Sequence, residues 1–248
     1  MFHTNTKNGL TILTADTLSG VCHGFSTRPG GVSPAPWDSL NLGVGRGDEI
    51  ARVQENYRRF CAALGTDVNR VVLSKQIHED VVRHVTEADA GKGLWRDRDY
   101  PSVDGMVTDV LHLPLVVFSA DCNVVLLHDP VRKAIGACHA GWRGTALGIR
   151  AAVGPAIGQC CFETDGDVPA ALHAALGDEA EPYITWNGRK YHIDLKAINA
   201  LWLRKSGVTQ IDVSGDCTAC RTDLYWSHRK HGGERGSQIA MISLEDTL

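Results

Sequence analysis

Short apolar runs punctuate the middle of the chain. Leu113 to Ala120 reads LPLVVFSA, Val124 to His128 follows, and Ala134 to Cys138 comes after the turn dipeptide Asp129-Pro130. Runs of this length, rich in β-branched residues and bounded by turn signals, predict buried strands. Arg70 to Val85, valine-rich around Ile77-His78, also predicts strands, and Gln238 to Leu244 predicts the last one. The helical period appears elsewhere. Ile50, Val53, Tyr57 and Phe60 recur at helical spacing within Asp48 to Leu64, behind an acidic start, and helices are further predicted over Pro169–Leu176 and Leu195–Ser206. The first forty residues read as turn-rich, with glycines and prolines crowded into GFSTRPGGVSPAP (Gly24 to Pro36), and the polar stretch 88–103 reads as a surface loop. Many strands with few helices between them predict an α+β fold: a single domain over 1–248, built of mixed β-sheet layers flanked by helices rather than a doubly wound parallel sheet.

One join departs from this rhythm. In Gly141 to Gly154 (GWRGTALGIRAAVG) a helix starting at Thr145 has barely one turn before Gly154-Pro155. Either residues are absent from the sequence near Ile149–Arg150, or the chain carries a deletion there.

Composition narrows the function classes. The 248 residues carry a formal net charge of -4, so nothing global draws them to nucleic acid or to an anionic membrane. No run of about 18 apolar residues appears, and MFHTNTKNGL lacks the basic end and apolar middle of a signal peptide. Both point to the cytoplasm, where the eight cysteines stay reduced. Adjacent Cys160 and Cys161 are also a poor framework for disulfide staples.

Three segments concentrate metal-capable side chains: KQIH ending at His78, SADC ending at Cys122, and CHAGWRG containing His139 and Arg143. The second and third close off consecutive strand candidates, which brings Cys122 and His139 to one edge of a sheet. A thiolate with two imidazoles meets the three-ligand count of a catalytic zinc and leaves one position for water. The same residues have plainer readings, a small core thiol and satisfied structural histidines, and spacing alone leaves these open. Cys122 activated by His139 as a metal-free nucleophile is a further alternative. Cys217-Thr-Ala-Cys220 has the spacing of a zinc half-site or redox pair, but no second C-x-x-C completes it, so it reads as ordinary buried cysteines near a turn. Gly154-Pro-Ala-Ile-Gly158 is a weak candidate for backbone anion binding, and Arg28, Arg143 and Arg229 are phosphate-capable.

Taken together, these segments resemble the YfiH-type, laccase-domain family of multicopper polyphenol oxidases, whose relatives are described as purine nucleoside phosphorylases with adenosine deaminase activity. The blocks are GFSTRPGGVS, SLNLG, KQIH, VDGMVTD, SADCNVVLLHDP, HAGWRGT, GPAIGQCCFE and CTACRTDLYWSHR, in the family's order over nearly the whole chain. The resemblance implies a YfiH-like fold and Zn²⁺ ligated by His78, Cys122 and His139, with copper possible in vitro. It implies Arg143 in the substrate pocket and Asp121 as a polar partner, so that Cys122, His139, Asp121 and Arg143 form the catalytic set. The implied substrates are a purine nucleoside and phosphate: phosphorolysis of adenosine, inosine and methylthioadenosine, and deamination of adenosine. Three departures stand out. The family has a helix and loop between HAGWRG and GPAIG, it shows Gly-Arg where this chain has Gly236-Ser237, and its QIHG is QIHE here, with Glu79 in place of glycine.

A laccase activity meets a chemical obstacle. Multicopper oxidases of the best-known class build their cluster from paired His-x-His elements, and none of the eleven histidines forms one. Copper-dependent phenol oxidation and zinc- or Cys-dependent amide hydrolysis of cell-wall precursors remain the alternative activities.

Overall fold

The structure, a computed structural model, describes residues 1–79, 81–139 and 150–246. The start of the short helix expected at Thr145 and the join at Ile149 lie outside these residues, as does Arg143. Among the described residues two six-stranded mixed sheets lie face to face. The first comprises β1 (Phe2–Lys7), β2 (Leu10–Ala15), β3 (Cys22–Ser26), β4 (Val72–Leu73), β7 (Leu115–Ser119) and β15 (Gln238–Ser243). The second comprises β5 (Val82–His84), β6 (Gly105–Thr108), β8 (Val124–Asp129), β9 (Ala134–His139), β10 (Arg150–Val153) and β14 (Gln210–Val213). Their orders are β1-β2-β3-β15-β7-β4 and β14-β10-β8-β9-β6-β5. A small third sheet holds β11 (Glu163–Thr164), β12 (Ile184–Trp186) and β13 (Tyr191–Ile193).

The period-two pattern explains the layering. In β7, Leu115 and Val117 face the second sheet and meet Leu126, Ile135 and Ala137 from β8 and β9. Val116, between them, points the other way onto helix α1 (Ile50–Leu64), which covers the outer face of the first sheet. The predicted helical stripe does this work: Val53, Tyr57 and Phe60 are buried, each contributing roughly 1.5–3 kcal/mol of apolar burial. The helix stops at Gly65, whose left-handed backbone (φ 80°) lets its N–H reach the Cys61 carbonyl at 2.8 Å. Helices α2 (Asp167–Leu176) and α3 (Leu195–Lys205) match the predicted segments, and α3 packs beside β10 and β14. A short α4 (His228–His231) follows.

Two expectations need correction. The first forty residues are not all turn: β1 and β2 form a hairpin, and β3 lies in the same sheet. The stretch 88–103 is irregular but not all surface. Asp89, Lys92, Tyr100 and Val103 are buried there, held by Asp89–Lys92 contact at 2.8 Å and by the Tyr100 hydroxyl donating to the Leu73 carbonyl at 2.7 Å. The turn-rich loop before α1 is pinned from the helix by buried Asn56. Its amide donates to Ser33 Oγ and the carbonyls of Ser39 and Asn41, while its Oδ1 accepts from Val32 N.

Candidate metal centre and its cleft

The centre sits at one end of the second sheet, where the loops meet. Cys122 precedes β8 by two residues, His139 ends β9, and the ladder pairs Val124 with His139. His78 comes from the connection between β4 and β5. The donor atoms of His78, Cys122 and His139 lie within 4.8 Å of one another, with His78 Nε2 3.8 Å from Cys122 Sγ. Ligands of a tetrahedral ion, at about 2.0–2.3 Å from the metal, stand roughly 3.4–3.8 Å apart, so little movement closes the set.

Asp104, just before β6, organises the two histidines. Its Oδ1 accepts from His78 N and from His139 Nδ1, both at 3.0 Å, and its Oδ2 accepts from Ile77 N at 3.1 Å and Glu79 N at 3.2 Å. Three successive backbone N–H groups converge on one carboxylate because His78 adopts a left-handed backbone (φ 67°). Burial alone raises the Asp104 carboxyl, but the N–H donors of Ile77, His139, Glu79 and His78 outweigh it and hold the group below its usual range. With Nδ1 donating to Asp104, His139 keeps Nε2 as its free ligand atom. Burial lowers the His139 pKa, which keeps the imidazole neutral as a metal ligand requires. Burial, then the neighbouring Asp121 charge, raises the Cys122 thiol. A bound cation reverses that preference.

A cleft of about 440 Å³ opens over His78 and Cys122, lined among others by Arg46, Ile157, Phe162, His228, Arg229 and Arg235. Arg235 is 9% exposed, and its Nε is buried without a hydrogen-bond partner; its NH1 donates to the Gly236 carbonyl at 2.9 Å. Burial and the nearby Arg46 charge disfavour its cation, against Asp121 and Cys122. An incoming anion relieves all of this at once.

The chain has counterparts among known proteins. The family model described as multi-copper polyphenol oxidoreductase laccase matches residues 22–152 and 147–245. The chain belongs to this laccase-domain family. The purine nucleoside phosphorylase YlmD of Geobacillus stearothermophilus is 35% identical over 254 residues, covering 92% of each chain. The purine nucleoside phosphorylase YfiH of Escherichia coli is 34% identical over 241 residues, covering 90% of this chain and 95% of its own. Among solved structures, YfiH of Bacillus licheniformis superposes with a TM-score of 0.90 at 32% identity, over 98% of this chain and 99% of the other. YlmD of Geobacillus stearothermophilus superposes with a TM-score of 0.89 at 32% identity, over 99% of each chain. The α+β fold of mixed sheets is therefore the YfiH fold.

In this laccase-domain chain the structure brings His78, Cys122 and His139 together. Asp121 adjoins Cys122, but its oxygens are already engaged: Oδ1 accepts from Thr218 Oγ1 at 2.6 Å and Oδ2 from Arg229 N at 2.7 Å. The glycine-rich stretch 154–158 offers no free anion cradle, since the N–H groups of Gly154, Ile157 and Gly158 bond Val124 O, Asp121 O and Cys217 Sγ. Arg28 is consumed locally by Asp38 and by stacking on Trp226, 4.3 Å from the ring centroid. Arg229 lines the cleft with its guanidinium on the Cys161 and Glu163 carbonyls. Sequence reasoning misses Asp104 and Arg235. Asp104 lies within the VDGMVTD block; Arg235 sits two residues before Ser237, the position where the family carries arginine.

Proposed function

We propose that the centre holds one zinc ion and that the chain is a purine nucleoside phosphorylase acting on adenosine, inosine and methylthioadenosine, with deamination of adenosine at the same centre. Curated relatives spanning nearly the whole chain carry the phosphorylase name. The observation that carries the reading is the coincidence, at one cleft, of a two-imidazole and thiol donor set with a buried arginine lacking a partner at Nε.

Zinc held by His78, Cys122 and His139 would supply Lewis-acid polarisation. The chain's own residues do the rest. Arg235, with Arg46 at the rim and Arg143, holds phosphate by charge-assisted hydrogen bonds and aims one oxygen at the ribose C1′. Phe162 and Ile157 form an apolar wall for the purine ring. Asp104 fixes both imidazoles, and Asp121 acts as a positioning residue, tying the Cys122 turn to Thr218 and α4. In phosphorolysis the bond from C1′ to the base nitrogen breaks as the phosphate oxygen bonds C1′, and the departing base takes up a proton. In deamination water replaces the exocyclic amine, which leaves as ammonia.

The test is to incubate zinc-loaded protein with adenosine or inosine, with and without phosphate, and to separate the products by chromatography. Phosphate-dependent release of adenine or hypoxanthine is expected, absent in Cys122→Ala. If no base appears above that control, the reading fails; phenol oxidation by copper-loaded protein alone would instead favour the oxidase.

A further inference from the structure

In the sequence, Cys217-Thr-Ala-Cys220 is half of a metal site lacking its other half. The fold supplies it. Adjacent Cys160 and Cys161, from the loop between β10 and β11, meet the C-x-x-C turn, and all four Sγ atoms lie within 4.8 Å of one another. Cys220 Sγ is 3.6 Å from Cys160 Sγ and 3.5 Å from Cys161 Sγ. Sulfurs around a tetrahedral zinc, at about 2.3 Å from the metal, are roughly 3.8 Å apart. All eight cysteines of the chain are free thiols, so no disulfide claims these four.

We propose that Cys160, Cys161, Cys217 and Cys220 bind a second zinc ion, a closed structural site that fastens the wall of the cleft. Three further observations support it. Gly158 N donates to Cys217 Sγ at 3.1 Å, an N–H···S bond that favours a thiolate. A Cβ on Gly158 would lie 3.1 Å from Cys217 Cβ and 3.3 Å from Cys160 Sγ, so any larger residue there would push on two of the four cysteines by a few tenths of an ångström. Two basic side chains lie beside the cluster, where four thiolates keep a divalent ion negative: buried Lys196, whose Nζ donates to the carbonyls of Ser214 and Asp216, and Arg229, which bonds the Cys161 carbonyl. Binding releases the thiol protons to solvent, and zinc takes their place.

The site's position gives it a purpose. Cys161 precedes Phe162 of the cleft wall, and Thr218, inside the C-x-x-C, donates to Asp121 beside Cys122. Thr218 N also bonds Ala156 O at 3.1 Å. The ion would lock two loops whose contacts reach the first centre.

The experiment uses the full chain carrying Cys122→Ala, which disables the first centre and makes the result independent of the nucleoside reading. Reduced, metal-free protein is titrated with Co²⁺ alone. One equivalent should bind with the intense thiolate-to-cobalt charge-transfer absorption of a tetrathiolate site, and Zn²⁺ should bleach it. Adding Cys160→Ser and Cys220→Ser should abolish the band. As a check that needs no cysteine variant at this site, limited proteolysis of metal-free and Co²⁺-loaded Cys122→Ala should show cuts near 157–163 and 217–221 only without metal. No charge-transfer band in Cys122→Ala, an undiminished band in the triple variant, or cleavage indifferent to Co²⁺ overturns the proposal.

Discussion

Replacing Asp104 with asparagine changes one atom and tests how the metal centre is held. The carboxylate accepts four N–H donors, two on each oxygen: His78 N and His139 Nδ1 on one, Ile77 N and Glu79 N on the other. An amide keeps one acceptor, so in either orientation two donors face an NH₂. If the NH₂ turns to Ile77 and Glu79, the left-handed loop carrying His78 loses its anchor. If it turns to His139, the imidazole must accept at Nδ1, and its proton moves to Nε2, the atom a metal needs. Leaving a buried N–H unsatisfied costs about 1–3 kcal/mol, so two together, with some relaxation, cost about 3 kcal/mol. For a chain of this size that is a fall in Tm of roughly 6–12 °C. Loss of the partner that orients a ligating histidine weakens metal binding by about 10–100-fold. Competition with a chromophoric chelator measures the second quantity and calorimetry of the metal-free protein the first. A variant that keeps wild-type zinc affinity within about twofold and an unchanged Tm would refute the role given to Asp104.

Arg235→Gln removes the buried cation and should raise KM for phosphate by about 10–100-fold, the worth of a charge-assisted hydrogen bond, with metal content unchanged. Steady-state kinetics with phosphate varied decides it. For Asp89, burial pushes the carboxyl up, but Lys92, Thr86 N and Arg83 outweigh it and bring it down to about 2, against 3.8 unperturbed. Its folded pKa lies below its unfolded one, so its stabilisation, about 2 kcal/mol, is full above pH 4 and is lost as pH falls towards 2. Denaturant titrations at several acidic pH values should show that slope, and Asp89→Asn should flatten it. A methyl on Gly31 would lie 2.1 Å from the Ser39 carbonyl oxygen and 2.4 Å from Leu40 Cα, so Gly31→Ala should cost about 3 kcal/mol by chemical denaturation.

Where sequence reading succeeded, the signal was local. The stripe of Val53, Tyr57 and Phe60 defines α1, and the apolar runs define β7, β8 and β9. The missed hairpin of β1 and β2 also had a local signal, Asn8-Gly9, whose positive φ values of 49° and 77° are those of a tight hairpin turn. What hid it was polarity, since β1 reads FHTNTK and lies mostly exposed at a sheet edge. The polar stretch 88–103 misled for the opposite reason, because paired charges such as Asp89 and Lys92 can be buried. Consecutive strand ends already placed Cys122 beside His139, whereas joining His78 to them rested on the family resemblance. Asp104 binds main chain some 25 to 27 residues away, a relation no spacing rule encodes. The four-cysteine cluster was invisible because its halves lie about sixty residues apart.

The last strand, β15, is not at an edge: it runs in the middle of the first sheet, bonded to β3 on one side and β7 on the other. While the chain is being synthesised, that sheet has a vacancy at its centre until residues 238–243 arrive. The segment just before them delivers Arg229 and Arg235 to the cleft, so that side of the cleft is completed in the same step that closes the sheet. Pairings this distant in sequence form slowly and leave strand edges open meanwhile. A ribosome-bound chain stalled short of β15 is therefore expected to lack both the finished cleft and its arginines, and to be the species most prone to aggregate.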